Sequence, residues 1–145
     1  ERGAPASKPS AETSIHAAVY RAFPQARVCF HVHTVAANLV ARLTPGDSLA
    51  LPPLEMLKGL GIWVENPHTQ VAVLPNLFDV PAIARAFADR AAAAPLAVPG
   101  FLIRDHGLTA WAPSVQDGVN IVELFEYVFR YMVDARAAGI GTGIR

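Results

Sequence analysis

Apolar side chains recur at every third or fourth position along four stretches of the chain. This spacing gathers them on one side of an α-helix and predicts amphipathic helices packed against a core. The four predicted helices cover residues 10–23, 34–43, 79–94 and 114–139. A shorter stretch at residues 52–61 has prolines at its start and glycine at its end, and it predicts one or two helical turns.

Polar residues that favour helix N-termini stand at the start of these stretches. Ser10, Thr34 and Asp79 are the predicted N-caps, because their side-chain oxygens can accept hydrogen bonds from the first backbone amides. Ser114 and Asp117 have the spacing of a capping box. The apolar band of the last helix is wide, which favours core packing, with a subunit interface as the alternative.

Three apolar runs rich in β-branched and aromatic residues predict buried strands. They lie at residues 26–33, 70–75 and 100–112, and the last run is broken near Gly107. Strands and helices alternate without a repeat or a linker, which predicts one α/β domain over residues 1–145. Residues 1–9 are small, polar and proline-containing, and we expect them to form a loop or a mobile end.

Composition narrows the function classes. The 145 residues are 52% hydrophobic and 17% charged, as in a globular domain with a sizeable core. Twelve basic and twelve acidic residues balance, so we expect neither a nucleic acid nor an anionic membrane as partner. No apolar run approaches the roughly 20 residues that span a bilayer. No secretory signal is visible and Cys29 is the only cysteine, which favours a cytoplasmic location and a buried, inert thiol.

Two histidines interrupt the first apolar strand. Successive strand residues point to opposite faces, so His31 and His33 should share a face, close enough for both imidazoles to bind one cation. A catalytic zinc site needs a third ligand, and His106 is the best candidate because it follows a strand and precedes Gly107. The alternative is a pair of hydrogen-bonded strand histidines. We expect His16 and His68 to be structural or exposed to solvent.

Carboxylates provide the second candidate chemistry. Glu55 and Lys58 lie one helical turn apart in an apolar setting. They form either an exposed ion pair or a site in which Glu55 is a general acid/base with a raised pKa. Glu12 is either a first-turn helix residue or a carboxylate facing the metal. Ser10 and the amides of the helix start can bind an anion such as phosphate.

Four segments together carry a family resemblance. The stretches KPSAETSIHAAVYRAFP, VCFHVHTVAANLVARL, LEMLKGL and FLIRDHGLTAW resemble, in order and spacing, the class II aldolase/adducin family. The resemblance extends from Lys8 to about Gly139. It implies a three-layer α/β/α sandwich around a mixed, largely antiparallel sheet. It also implies a homotetramer that acts on a small sugar phosphate.

The resemblance also assigns roles to the candidate residues. His31, His33 and His106 would bind Zn²⁺, and Glu12 would be a further carboxylate at the metal site. The segment LEMLKG resembles that of the dehydratases within the family, which implies that Glu55 is the acid/base of a hydro-lyase. Ser10, and less strongly Lys58, would bind the substrate phosphate.

Two other functions are compatible with the same family. The first is a class II sugar-phosphate aldolase or epimerase, which shares the metal site but differs in the proton-transfer group. The second is an adducin-like scaffold, which the three histidines disfavour because such domains lack them. Members of the family usually carry an upstream segment with a phosphate-binding loop, and nothing similar occurs in residues 1–9. We therefore expect that this segment is missing from the chain.

Overall fold

Four α-helices, five strands and one 3₁₀ helix form residues 8–142, the part of the chain that the computed structural model describes. In chain order they are α1 (Thr13–Ala22), β1 (Val28–Val32), α2 (Val35–Leu43), β2 (Ser48–Leu51), the 3₁₀ helix (Glu55–Leu60), β3 (Thr69–Leu74), α3 (Val80–Ala93), β4 (Gly100–Ile103), β5 (Gly107–Ala112) and α4 (Val115–Ala137). Most of the predicted N-terminal loop, residues 1–7, lies outside the described residues, as do residues 143–145.

The five strands form one sheet in the order β1-β5-β4-β3-β2. Strands β3 and β4 pair in parallel, and the other three neighbouring pairs are antiparallel. The fold that the family resemblance implied, with a mixed and largely antiparallel sheet, is therefore confirmed. Strand β2 was not predicted, because only its alternate residues Leu49 and Leu51 are buried and its identity depends on pairing with β3.

Helices cover both faces of the sheet. Alternate residues of β3 show the division: Val71 and Val73 pack into a cluster with α2, α4 and the 3₁₀ helix, whereas Ala72 and Leu74 pack with α1 and α3. Since side chains alternate along a strand, one strand supplies both cores. The near-continuous burial of β4 and β5 follows, because both of their faces are covered.

Helix α1 begins later than predicted, and Ser10 is not its N-cap. The N-cap residue is Glu12, whose side chain makes no capping hydrogen bond. Ser10 instead belongs to the turn before the helix: its Oγ accepts a hydrogen bond from the Glu12 amide at 3.3 Å, and its carbonyl accepts one from the Thr13 amide at 3.1 Å. The two oxygens of Ser10 therefore accept hydrogen bonds in this turn, before the first residue of the helix.

The other predicted helix starts are confirmed in position. Thr34 Oγ1 accepts a hydrogen bond from the Ala37 amide at 3.2 Å, and Ser114 Oγ accepts one from the Asp117 amide at 3.1 Å. Asp79 is the N-cap residue of α3, but its carboxylate makes no capping bond and lies 3.5 Å from Arg85.

The apolar band of α4 belongs to the core, as the sequence favoured. The fully buried residues of this band include Phe125, Val128, Phe129 and Met132. Ile121, Val122 and Val133 are partly buried and pack against the same cluster. None of the helices within residues 8–142 has both the length and the apolar character needed to cross a membrane.

Candidate metal centre

Three histidines meet where β1 ends and β5 begins. Antiparallel pairing places His31 opposite Thr109 and Val32 opposite Leu108. His33 follows β1 directly, and His106 precedes β5 by one residue, so the strand register brings these two ends together. The ring centroids are 4.8 Å (His31 to His33), 4.9 Å (His31 to His106) and 5.0 Å (His33 to His106) apart. The predicted strand extended to residue 33, whereas the observed one ends at Val32.

The geometry of this cluster suits a metal ion. One ring nitrogen from each histidine lies within 4.8 Å of the other two. His31 Nε2 and His33 Nε2 are 2.9 Å apart, and ligand nitrogens around a tetrahedral zinc are separated by about 3.4 Å, given Zn–N bonds of about 2.0–2.1 Å. Small ring movements would therefore accommodate an ion. His33 is exposed while its two partners are half-buried, which leaves the cluster open on one side.

Buried polar atoms beside the cluster lack partners. His106 Nδ1 and Glu12 Oε2 are both buried and make no hydrogen bond. Glu12 Oε1 lies 3.7 Å from His106 Nε2, and both side chains are mostly buried. Buried polar groups normally have a partner, so these orphaned atoms support the presence of a bound group at this position. The structure thus places Glu12 beside the histidines, as the second interpretation of its role requires.

Burial keeps His31 neutral. Desolvation, followed by the nearby His106, His33 and His16, lowers the pKa of His31 to about 4. A neutral imidazole can bind a metal ion, whereas an imidazolium cannot. His16 is half-buried on α1 and close enough to His31 to act on it electrostatically; its Nε2 is buried without a partner. His68 is exposed in an irregular segment, as predicted.

Gly107 allows the approach of the two segments. A Cβ at this position would clash with the carbonyl oxygen of Val32 and lie 3.0 Å from Cδ2 of His33. Gly107 therefore lets the start of β5 lie close to the backbone of β1. The sharp turn before β5 has its positive φ, +54°, at Asp105 and not at the glycine.

Two side chains that sequence analysis missed support the cluster. Thr109 Oγ1 lies 2.8 Å from His31 Nδ1, on the ring edge opposite the Nε2 that faces His33. Asn38 donates from Nδ2 to the carbonyl oxygens of Thr34, at 3.1 Å, and His106, at 3.2 Å. In the sequence, Thr109 could have been recognised as a hydroxyl-bearing residue inside an apolar strand. Asn38 had no comparable signal.

The predicted acid/base and phosphate residues lie outside the histidine cluster. Glu55 starts the 3₁₀ helix, and its carboxylate is 3.0 Å from Lys58 Nζ, with 74% of the glutamate side chain exposed. The exposed ion pair, one of the two interpretations of these residues, is therefore present. Lys58 Nζ also lies 5.7 Å from the ring centre of Trp63. Ser10 is exposed in the turn that leads to Glu12.

Comparison with known proteins identifies the family. The profile of the class II aldolase and adducin N-terminal domain matches residues 2–133. The chain therefore belongs to the class II aldolase and adducin family. An L-fuculose-1-phosphate aldolase from Thermus thermophilus has a similar fold, with a TM-score of 0.67 and 22% identity over 97% of this chain and 69% of that one.

Relatives with higher identity share one name. A methylthioribulose-1-phosphate dehydratase from Microcystis aeruginosa is 54% identical over 129 residues, which are 89% of this chain and 63% of the relative. A protein of the same name from Klebsiella pneumoniae is 44% identical over 84% of this chain and 60% of its own length. The chain thus spans somewhat over half the length of these curated relatives.

Proposed function

We propose that the chain is the metal-binding part of a methylthioribulose-1-phosphate dehydratase. The reaction would convert 5-methylthioribulose 1-phosphate to 2,3-diketo-5-methylthiopentyl 1-phosphate in methionine salvage. The observation that carries the proposal is the convergence of three imidazoles beside a half-buried carboxylate. The shared name of the relatives at 54% and 44% identity supports the choice of substrate.

Zn²⁺ is the proposed cofactor, bound by His31, His33 and His106 with Glu12 beside them. Neutral imidazoles in a set of three, with one side open, are typical of catalytic zinc. Such an ion supplies Lewis-acid chemistry, which polarises a substrate carbonyl and stabilises negative charge on its oxygen. The low pKa of His31 supports this assignment, because the ring stays available as a ligand through the neutral range.

Glu55 is the proposed general acid. Dehydration transfers a proton from C3 to a base and removes the hydroxyl from C4 of the ketose phosphate. The Glu55 carboxyl would give its proton to the departing hydroxyl, so that water leaves and an enol remains. The enol then tautomerises to the 2,3-diketone, which places a proton on C4. In the structure Glu55 pairs with Lys58 in solvent, so this role requires that the ion pair opens and the carboxylate takes up a proton when substrate binds.

Ser10 and the start of α1 are the proposed contacts of the substrate phosphate. Ser10 lies two residues before Glu12, and its hydroxyl accepts a hydrogen bond from the Glu12 amide at 3.3 Å. Backbone amides at helix N-termini favour anions, which supports the same position. Lys58 is a weaker candidate, since it would have to leave Glu55 first.

A homotetramer is the proposed assembly, in which residues 1–145 form one domain of each subunit. Several large apolar side chains near the 3₁₀ helix are exposed, including Met56, Trp63 and Val64. Contiguous exposed apolar side chains often mark contacts between proteins. Their position after Glu55 would let a neighbouring subunit enclose that residue.

Product analysis tests the proposal. The purified protein, loaded with Zn²⁺, is incubated with 5-methylthioribulose 1-phosphate and diketone formation is followed. We expect Glu55→Gln to lower the rate of diketone formation by about 10²-fold or more, as for the loss of a general acid. The zinc content of the protein should stay unchanged. Glu65→Gln provides the matched control, because Glu65 is also an exposed carboxylate in the neighbouring segment.

Three results would contradict the proposal. A retro-aldol product would identify an aldolase, the alternative that the sequence left open. Unreacted substrate with zinc bound would exclude the dehydratase activity for this chain. Equal loss of activity in the Glu55 and Glu65 variants would remove the assigned role of Glu55.

A further inference from the structure

Thr109 carries a hydroxyl within a strand whose residues are all buried. It lies in β5 between Leu108 and Ala110, and its side chain is fully buried. A buried hydroxyl without a partner is costly, so its one hydrogen-bonding neighbour matters. That neighbour is His31 Nδ1 at 2.8 Å, directly across the strand pair.

The hydrogen bond fits either neutral form of the His31 ring, because the Thr109 hydroxyl can donate or accept. A neutral imidazole carries its proton on one nitrogen and a lone pair on the other. When Nδ1 holds the proton and donates it to Thr109 Oγ1, the lone pair is on Nε2. Nε2 is the atom that faces His33, 2.9 Å from its Nε2. The bond also favours the ring orientation in which Nε2 faces His33.

We propose that Thr109 is a positioning residue of the metal centre. Its hydroxyl holds His31 with Nδ1 protonated and Nε2 directed at the ion. Partners of this kind behind a metal-binding histidine raise the affinity for the metal by orienting the ligand. The inference rests on the proposed zinc site, and it gives a role to the one hydroxyl-bearing residue of β5.

Metal affinity tests the role of the hydroxyl. Zinc dissociation constants are measured by competition with a chromophoric chelator for wild type, Thr109→Val and Thr109→Ser. Valine keeps the shape of threonine without the hydroxyl, and we expect it to weaken zinc binding about 10–100-fold. Serine keeps the hydroxyl and should restore binding to within about threefold of wild type, by the same argument.

Thr69→Val is the matched control. Thr69 is a buried strand threonine in β3 whose hydroxyl has no partner. Its replacement by valine should leave zinc affinity unchanged. Unfolding of each chelator-treated variant is recorded alongside, and if Thr109→Val does not fold, Thr109→Ala takes its place in the comparison with serine.

A double-mutant cycle separates positioning from packing. In a His31→Ala background, Thr109→Val should no longer change zinc affinity, because the ring it orients is gone. Co²⁺ substituted for zinc should show an altered visible absorption spectrum in Thr109→Val and a wild-type spectrum in Thr109→Ser.

The inference fails if Thr109→Val binds zinc as tightly as wild type. It also fails if serine weakens binding as much as valine, since packing would then explain both. Absence of zinc binding by the wild-type protein would overturn the proposed metal site itself, and this inference with it.

Discussion

At Gly107 one hydrogen atom in place of a methyl group decides whether two strands can meet. A Cβ there would strike the carbonyl oxygen of Val32 and crowd the ring of His33. Neither neighbour can withdraw freely, because Val32 is paired in the sheet and His33 belongs to the cluster. The absence of a side chain at Gly107 is therefore needed both for β5 to pack beside β1 and for His33 to keep its position in the cluster.

We predict that Gly107→Ala destabilises the protein by about 1–3 kcal/mol, the usual cost of overpacking, and impairs zinc uptake. Urea unfolding and zinc titration measure the two effects. Gly46→Ala is the control: a Cβ at Gly46 meets nothing within 4 Å, so its effect should stay below about 1 kcal/mol. Equal stability of the two variants would show that the close approach is not needed.

Cys29 shows how burial controls a single reactive group. The thiol is 7% exposed, and desolvation raises its pKa to about 12 from an ordinary value near 9. The folded protein therefore holds the thiol proton more tightly than the unfolded chain does. The stability that this contributes is complete below about pH 9 and is lost as the pH rises toward 12.

We predict that native Cys29 reacts slowly with a disulfide reagent at pH 8, because the thiolate is the reactive form and is scarce. The same reagent should modify the thiol promptly in denaturant, where burial no longer acts. Absorbance of the released thiol follows both reactions. Prompt modification of the native protein would contradict the buried, protonated state.

At the scale of elements, α2 connects the two segments that carry the histidines. Asn38 donates both amide protons, one to the carbonyl of Thr34 and one to that of His106. Thr34 follows His33 directly, so one side chain fastens the end of β1 to the turn before β5. Asn38 and His106 are 68 residues apart along the chain.

We predict that Asn38→Leu lowers the free energy of unfolding by about 1–3 kcal/mol, because the carbonyl of His106 loses its donor and that of Thr34 keeps only the backbone amide of residue 38. It should also weaken zinc binding, since His106 is no longer tethered to α2. Denaturant unfolding with chelator present gives the first value, and zinc titration the second. Asn120→Ala, at an exposed site of α4, should change stability by less than about 0.5 kcal/mol. An Asn38 variant as mild as this control would refute the tether.

At the scale of the whole molecule, the candidate site spans much of the chain. Its three histidines come from β1, the segment after β1 and the turn before β5, and Glu12 comes from the start of α1. The unfolded chain cannot hold these groups together. A metal that binds them therefore stabilises the folded state alone.

We predict that zinc at about 100 times its dissociation constant stabilises the protein by about 2.7 kcal/mol. The melting temperature should then rise by about 5–10 °C for a domain of this size. Thermal unfolding with zinc and with chelator provides the comparison. His33→Ala should abolish the shift, whereas His68→Ala, which removes an exposed histidine outside the cluster, should preserve it. A shift that survives His33→Ala would place the metal elsewhere.

Local sequence determined most of the elements, because their signals act over a few residues. The periodic apolar positions, Thr34 and Ser114 predicted helices that begin where the structure has them. The pair His31 and His33 was recognisable by its spacing within one strand. His106 was recognisable as the third histidine only because a glycine and a strand mark its position.

Tertiary structure decided what depends on pairing across the sheet. Strand β2 exists because β3 lies beside it, and Ser10 lost its predicted capping role to the turn that precedes α1. Thr109 meets His31 across 78 residues because of the β1–β5 register, and no local pattern encodes that register. The sequence by itself therefore named the candidate metal-binding side chains. Their arrangement, and that of the groups that hold them, required the folded sheet.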